Sequence, residues 1–272
     1  MGWRDRGIEL KTPEQIDGMR VAGLVVARTL EMLRDTARPG LTTGELDQAA
    51  EAQIRSQGAT PSFLGYHGFR GSICVSVNDE VVHGVPGARV LAEGDVVSID
   101  CGAIVDGWHG DAALTLALGE VAPEVSALME VTEQAMWRGI AAARLSGRVS
   151  DISHAVESHV RAAGDYGILE DYTGHGIGSQ MHQPPDVPNY GRPGRGPRLV
   201  QGLALAVEPM VTLGRAETDV LDDDWTVVTV DGSWAAHSEH TFTLTEDGAW
   251  VLTALDGGKA ELAALGVPYG GA

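Results

Sequence analysis

Apolar residues recur at helical spacing from Thr12 to about Arg34: Ile16, Met19, Ala22, Gly23, Val26, Leu30 and Leu33 fall three or four apart. The preceding TPEQ supplies an N-cap, a proline at the first helical position and an acid in the first turn, and RPG ends the element. TTGELDQAAEAQIRSQG predicts a second helix, capped by Thr42 or Thr43 and terminated at Gly58. Between Phe63 and Gly119 the pattern turns to strands, in GSICVSVN, DVVSIDCGAI and HGDAALTLAL. Two helices are expected next, at about 123 to 146 and 150 to 163. HGIGSQMHQPP and a Gly/Pro/Arg loop at 191 to 198 lead into a second set of strands, GLALAVEPMV, TVVTVDG and AAHSEHTFTLTEDG. The last fifteen residues read as a loose tail.

The two strand-rich halves echo one another faintly. GDVVSID (94–100) and GLALAVE (202–208) both run from glycine through apolar residues to an acid. DAALTLALGE (111–120) and EHTFTLTEDG (239–248) both begin on an acid and carry a Thr-Leu pair four residues on. Each half therefore offers two acids at the mouths of apolar strands.

Composition narrows the class. The 272 residues suit one large domain or two small ones, and 43% hydrophobic with 21% charged residues is ordinary for a soluble globular protein. No apolar run is long enough to span a bilayer, and MGWRDRGIELKTPEQ lacks the apolar stretch of a signal peptide. Cys74 and Cys101, the only cysteines, argue against a disulfide scaffold, and a cytoplasmic protein is expected. A net charge of −19 argues against a nucleic-acid surface, which needs clustered Lys and Arg.

The candidate chemistry begins with DCGAIVDGWHGD. Taken as a hairpin turning on Asp106-Gly107, its facing residues sum to 213, so Asp111 lies opposite Gly102 and Asp100 opposite Ala113. Asp100 and Asp111 then share one face as diagonal neighbours, with Cα atoms about 7–8 Å apart. Two carboxylates so placed either grip one or two cations or repel until one is protonated. The plainer alternative is a pair of solvent-facing acids on a half-exposed sheet. Glu208 in AVEPM and Glu239 in HSEHTF likewise interrupt strand-like runs, where a carboxylate needs a partner. TGHGIGSQMHQPP adds His175 and His182, with glycines that let the backbone approach a ligand. Four carboxylates and one imidazole suit Mn, Fe(II), Co or Zn, while HExxH and CxxC motifs are lacking. His109, His237 and His240 neighbour the acids and are candidate partners behind the ligands.

With these motifs in family order, GYHGF…SICVSVNDEVVHGVP, DCGAIVDGWHGD, TGHGIG…MHQPP, EPM and SEHTF, the chain resembles the type I methionine aminopeptidases from about Glu9 to Leu252. The resemblance implies an α/β (α+β) pita-bread fold: a pseudo-two-fold pair of antiparallel-sheet halves with helices packed outside. It implies an N-terminal extension at 1–11, one catalytic metallopeptidase domain at 12–255 and a C-terminal tail at 256–272. Carried over by motif, two divalent ions fall to Asp100, Asp111, His175, Glu208 and Glu239, with Asp111 and Glu239 bridging. Asp100 would complete the first site, and His175 and Glu208 the second. His83 and His182 match the substrate-contacting histidines, and Glu208 is the implied proton acceptor. The methionine pocket falls on Tyr66, Phe69, Cys74 and Trp225, and by position on Phe63 and Met181. Phe69 stands where a tyrosine is frequent, and MHQPP replaces a more acidic run. The implied reaction is removal of N-terminal methionine before a small second residue, by attack of a metal-activated hydroxide. The implied substrates are nascent chain N-termini, at the ribosome or free of it, acted on by a monomer with no nucleic-acid or membrane partner. Two alternatives stand beside it. One is an Xaa-Pro aminopeptidase or prolidase, though such relatives carry an extra N-terminal domain that 272 residues leave no room for. The other is a non-catalytic binding relative, which would have lost ligands that are all filled here.

Overall fold

Helix α1 (Pro13–Thr36) starts as its sequence requires: Gln15 N donates to Thr12 Oγ1, and Thr12 N donates back to Gln15 Oε1. Helix α2 (Thr43–Ser56) repeats this capping box with Thr42 and Glu45. The computed structural model describes residues 7–271, so residues 1–6 of the 1–11 extension, and Ala272, lie outside the described residues. Helix α3 (Pro123–Ala142) stops short of the expected 146, because Ala143 turns extended and Ser146 adopts a φ of 70°. Helix α4 (Val149–Ala163) follows, with Asp151 Oδ2 accepting from Arg148 N.

A nine-stranded sheet carries these helices. Its strands are β1 (Thr60–Pro61), β2 (Ile73–Val77), β3 (Val96–Val105), β4 (Trp108–Ala117), β5 (Gly174–Gly176), β6 (Gln183–Val187), β7 (Ala204–Val207), β8 (Glu239–Leu244) and β9 (Ala249–Val251). The order is β1-β3-β4-β8-β7-β5-β6, with β2 paired to β3 and β9 to β8. The β3–β4 hairpin turns on Asp106-Gly107 at φ 48° and 84°, the all-positive geometry whose twist matches paired strands. Its register is the one the turn demands: Asp100 faces Ala113 and Gly102 faces Asp111. At the centre, β4 pairs with β8 through Ala113–Glu239 and Ala112–His240, while β3 and β7 flank them. The order β3-β4-β8-β7 is symmetric about that central pair, and the faint internal echo in the sequence maps onto it.

Each half has its own core. Val26, Leu33, Leu46 and Ile54 of α1 and α2 pack with Val75, Val97 and Ile99. Leu128, Ile140, Ile152 and Val160 of α3 and α4 pack with Leu205, Val207 and Phe242. The apolar run GLALAVEPMV is not one strand. Pro209 has no N–H to donate, so β7 ends at Val207 and Met210–Thr212 joins a separate small sheet. Glu208 is left at the break.

The tail is not loose. Asp256 accepts from the Gly258 and Ala260 amides to start helix α5 (Lys259–Ala264), and Leu262 is fully buried. Gly270 N then donates to Ala249 O, and Leu265, Val267 and Tyr269 cover the second core. Those apolar residues, scattered rather than periodic, are what fold the segment back. Among the described residues, no helix is long and apolar enough to cross a membrane.

Candidate active site

The hairpin parity puts Asp100 and Asp111 on one face, and the central pairing brings the first residue of β8, Glu239, beside them. Glu208 arrives from the β7 break and His175 from the middle of β5. His175 reaches this place because its neighbours lack side chains. A Cβ at Gly174 would lie 2.3 Å from Ala206 O, and one at Gly176 2.3 Å from Pro184 O, so only glycines allow β5 between its partners.

The donor atoms converge. His175 Nε2 lies 3.4 Å from Glu208 Oε1 and 4.0 Å from Asp111 Oδ2. Donor atoms of Asp111, His175 and Glu239 fall within 4.8 Å of one another, as do those of Glu208, His237 and Glu239. His175 Nδ1 donates to Gly176 O at 3.0 Å, which leaves Nε2 as a lone-pair donor aimed at the carboxylates. Burial, then the nearby His182, holds the His175 pKa down at about 3, so the ring is neutral. Burial pushes the Asp100 carboxyl up to about 7. Burial and then the neighbouring carboxylates raise Asp111, Glu208 and Glu239 well above the ordinary range.

Cations fit this donor set. Asp100 Oδ1, Asp111 Oδ1 and Glu239 Oε1 are buried without hydrogen-bond partners. Among the described residues, only histidines form ion-pair contacts with Asp111 and Glu208. Four clustered carboxylates without Lys or Arg, Asp111 and Glu239 buried and Asp100 and Glu208 partly so, repel one another unless a multivalent cation lies between them. Oxygen donors with one neutral imidazole match a divalent transition ion.

Every residue expected in the substrate pocket lines one cavity of about 160 Å³ shared with these carboxylates. Phe63, Phe69, Cys74 and Met181 form its buried apolar wall, and Tyr66 and Trp225 its half-buried rim. The Phe69 and Trp225 rings meet edge-on at 5.1 Å. Burial, then the Asp100 and Asp111 charges, keeps the Cys74 thiol protonated, so it is an apolar surface. His83 sits at φ 60°, edge-on to Tyr172 and Trp225. Burial holds its pKa near 4. The His182 ring lies 4.3 Å from that of His175, and its Nδ1 is 2.9 Å from the Tyr66 hydroxyl.

The three neighbouring histidines separate. His237 is buried with Nε2 3.7 Å from Glu208 Oε2. His109 contacts Ser62 Oγ through Nδ1 at 3.1 Å. His240 does not belong to the site. It alternates away from Glu239, bonds Thr253 Oγ1 through Nδ1 at 2.9 Å and stacks against Trp137. His67, left without a role by the sequence, lines the cavity at φ 48°; the glycines on either side of Tyr66-His67 were its signal.

Residues 17–246 match metallopeptidase family M24. Methionine aminopeptidase 1 of Mycobacterium tuberculosis (strain CDC 1551 / Oshkosh) is 52% identical over 254 residues, spanning 91% of this chain and 96% of that protein. The crystal structure of methionine aminopeptidase from Thermotoga maritima superposes with a TM-score of 0.89 at 42% identity, over 91% of this chain and 99% of that one. A prolidase from Pyrococcus furiosus shares the fold at a TM-score of 0.74, with 22% identity over 92% of this chain but 66% of that one. The chain belongs to metallopeptidase family M24, among its methionine aminopeptidases.

Proposed function

We infer that this protein removes the N-terminal methionine of polypeptides whose second residue is small. The observation that carries this reading is one small cavity with an unbranched apolar wall on one side and a cluster of unpaired buried carboxylates on the other. Asp100, Asp111, His175, Glu208 and Glu239 would hold two divalent ions. The donor set admits Co, Mn, Fe(II) or Zn. Such ions supply Lewis acidity, making water acidic enough to ionise near neutral pH and polarising a carbonyl.

The side chains do the rest. Phe63, Phe69, Cys74 and Met181 enclose a flexible thioether, and Tyr66 and Trp225 close over it. A free α-amine would be recognised where the cluster holds its ions, which restricts the enzyme to chain ends. Glu208, at the strand break, takes the proton of the attacking water. The Tyr66 hydroxyl lies 2.9 Å from His182 Nδ1, and by donating to it would put the ring proton on Nε2, ready for the developing oxyanion. His83, neutral by burial, contacts the scissile amide nitrogen. We place the enzyme in the cytoplasm as a monomer, acting on nascent N-termini; the net charge of −19 disfavours a direct nucleic-acid contact there.

Prolidase-like activity on the same fold is the competing reading, and likenesses of 19% to 24% identity, which show the fold alone, support it. Steady-state kinetics on Met-Ala-Ser against Xaa-Pro peptides, with divalent metal added, decide between them. Methionine release is expected to dominate. A higher kcat/KM on the proline peptides would sink the assignment.

A further inference from the structure

Lys11 is one of two lysines in the chain, and its side chain is 1% exposed. A buried ammonium needs a partner. Its Nζ donates to Glu9 O at 3.2 Å and lies 3.6 Å from Glu9 Oε2 and 3.5 Å from Gln183 Oε1. The Lys11 backbone N–H donates to Gly202 O at 2.7 Å, just ahead of β7. The segment before α1 is thus strapped across the molecule.

Glu9 uses this anchor to reach the loop between β5 and β6. Its Oε2 accepts from Ser179 N at 3.0 Å and from Gln183 Nε2 at 2.9 Å, and its Oε1 accepts from Ser179 Oγ at 2.7 Å. One carboxylate therefore holds both ends of the loop, and Met181 and His182 lie between the two holds. The loop's other ties run within it or to single neighbours. Ile177 N donates to Ala204 O, Gly178 N to Gln180 O, His109 N to Gly178 O and Gln183 Nε2 to Ser179 Oγ. The Tyr66 hydroxyl meets His182 Nδ1, while Ser179, Gln180 and His182 are exposed. Gly178 is fitted to the strap: a Cβ there would lie 2.3 Å from both Glu9 Oε2 and Lys11 Cε.

We propose that Glu9, held by the buried Lys11, is a positioning residue that fixes the 177–183 loop so that His182 and Met181 point into the cavity. This rests on the reading of His182 as an oxyanion donor and Met181 as pocket wall. The strap preorganises the loop before substrate arrives, which is how a group outside the cavity changes the rate inside it.

A double-mutant cycle on the metal-loaded full chain tests it. Glu9→Ala is expected to lower kcat on Met-Ala-Ser by about 10- to 100-fold, as a misplaced catalytic group does, with KM moving far less. In a His182→Ala background the same substitution is expected to cost less than about threefold, because two residues acting through one group are not additive. Ser179→Ala, at an exposed position, removes the hydroxyl's bonds to Glu9 Oε1 and from Gln183 Nε2 while leaving the Ser179 N–H on Glu9, and serves if Glu9→Ala does not fold. It is expected to lower kcat by about threefold with the same dependence on His182. Equal factors in both backgrounds, or unchanged kcat, would overturn the positioning role alone. Wild-type kcat in His182→Ala would overturn the role of His182 and this proposal with it. A preference for Xaa-Pro peptides would overturn the methionine reading alone, since the cycle is read on whichever peptide is cleaved.

Discussion

Asp111 combines conditions that a sheet residue rarely meets. It is 3% exposed, lies diagonally across the β4–β8 pairing from the similarly buried Glu239, which faces Ala113, and has an unpartnered Oδ1. Nothing on the protein side compensates its charge, because His175 is neutral and 4.0 Å away. The proposed role as a metal ligand accounts for that cost. Asp111→Asn keeps the shape and removes the charge, so it separates packing from chemistry. Even residues behind metal ligands cost about 10- to 100-fold when changed, so a bridging ligand is expected to cost about 100-fold or more in kcat. Retention of a tenth of wild-type turnover at saturating metal would refute the bridging role. Thermal unfolding of the metal-free variant checks that the fold persists, and loss of repulsion among the carboxylates is expected to raise its midpoint.

At the scale of elements, the site depends on how closely α1 approaches the β3–β4 hairpin. Gly110 and Gly23 meet there: a Cβ on Gly110 would lie 2.7 Å from Gly23 N and 2.8 Å from Gly23 Cα. Backbone on both sides of the contact cannot yield as a side chain would. Gly110→Ala is therefore expected to destabilise the fold by about 1–3 kcal/mol, read as a lower urea midpoint at unchanged slope. Because Gly110 precedes Asp111, kcat is expected to fall in the same variant. An unchanged midpoint would show that α1 can slide. The hairpin itself was legible in the sequence, because Asp106-Gly107 permits one turn and the turn sets the parity of Asp100 and Asp111. The N-cap of α1 was legible for similarly local reasons, and that of α2 to within one residue, whereas GLALAVEPMV read as one strand because its apolar run hides the break that Pro209 makes. The Gly23–Gly110 contact was not legible, since no pattern within either element records which glycine its partner will meet. Nor was the tail, where Leu262, Val267 and Tyr269 lack a period and fold only against a core that α3 has already built. His240 was misplaced because proximity in sequence outweighed strand alternation.

The whole molecule is two half-sheets, each with its own core, joined along β4 and β8. The carboxylate cluster lies on that seam, with Asp100 and Asp111 from the first half and His175, Glu208 and Glu239 from the second. Without cations the seam holds carboxyls that must repel or take up protons, as their raised pKa values record, and the proposed cations would instead tie the halves together. Metal is thus expected to act on global stability and not only on turnover. A ligand present at 100 times its dissociation constant, and binding only the folded state, stabilises by about 2.7 kcal/mol. For a chain of this size that corresponds to a rise of about 5–10 °C in the melting midpoint. Thermal melts of chelator-treated protein titrated with Mn or Co are expected to climb with the logarithm of metal concentration. Glu239→Gln removes one of the proposed metal ligands and is expected to flatten that climb. A midpoint indifferent to metal, or an equal rise in Glu239→Gln, would place the cations somewhere other than the seam.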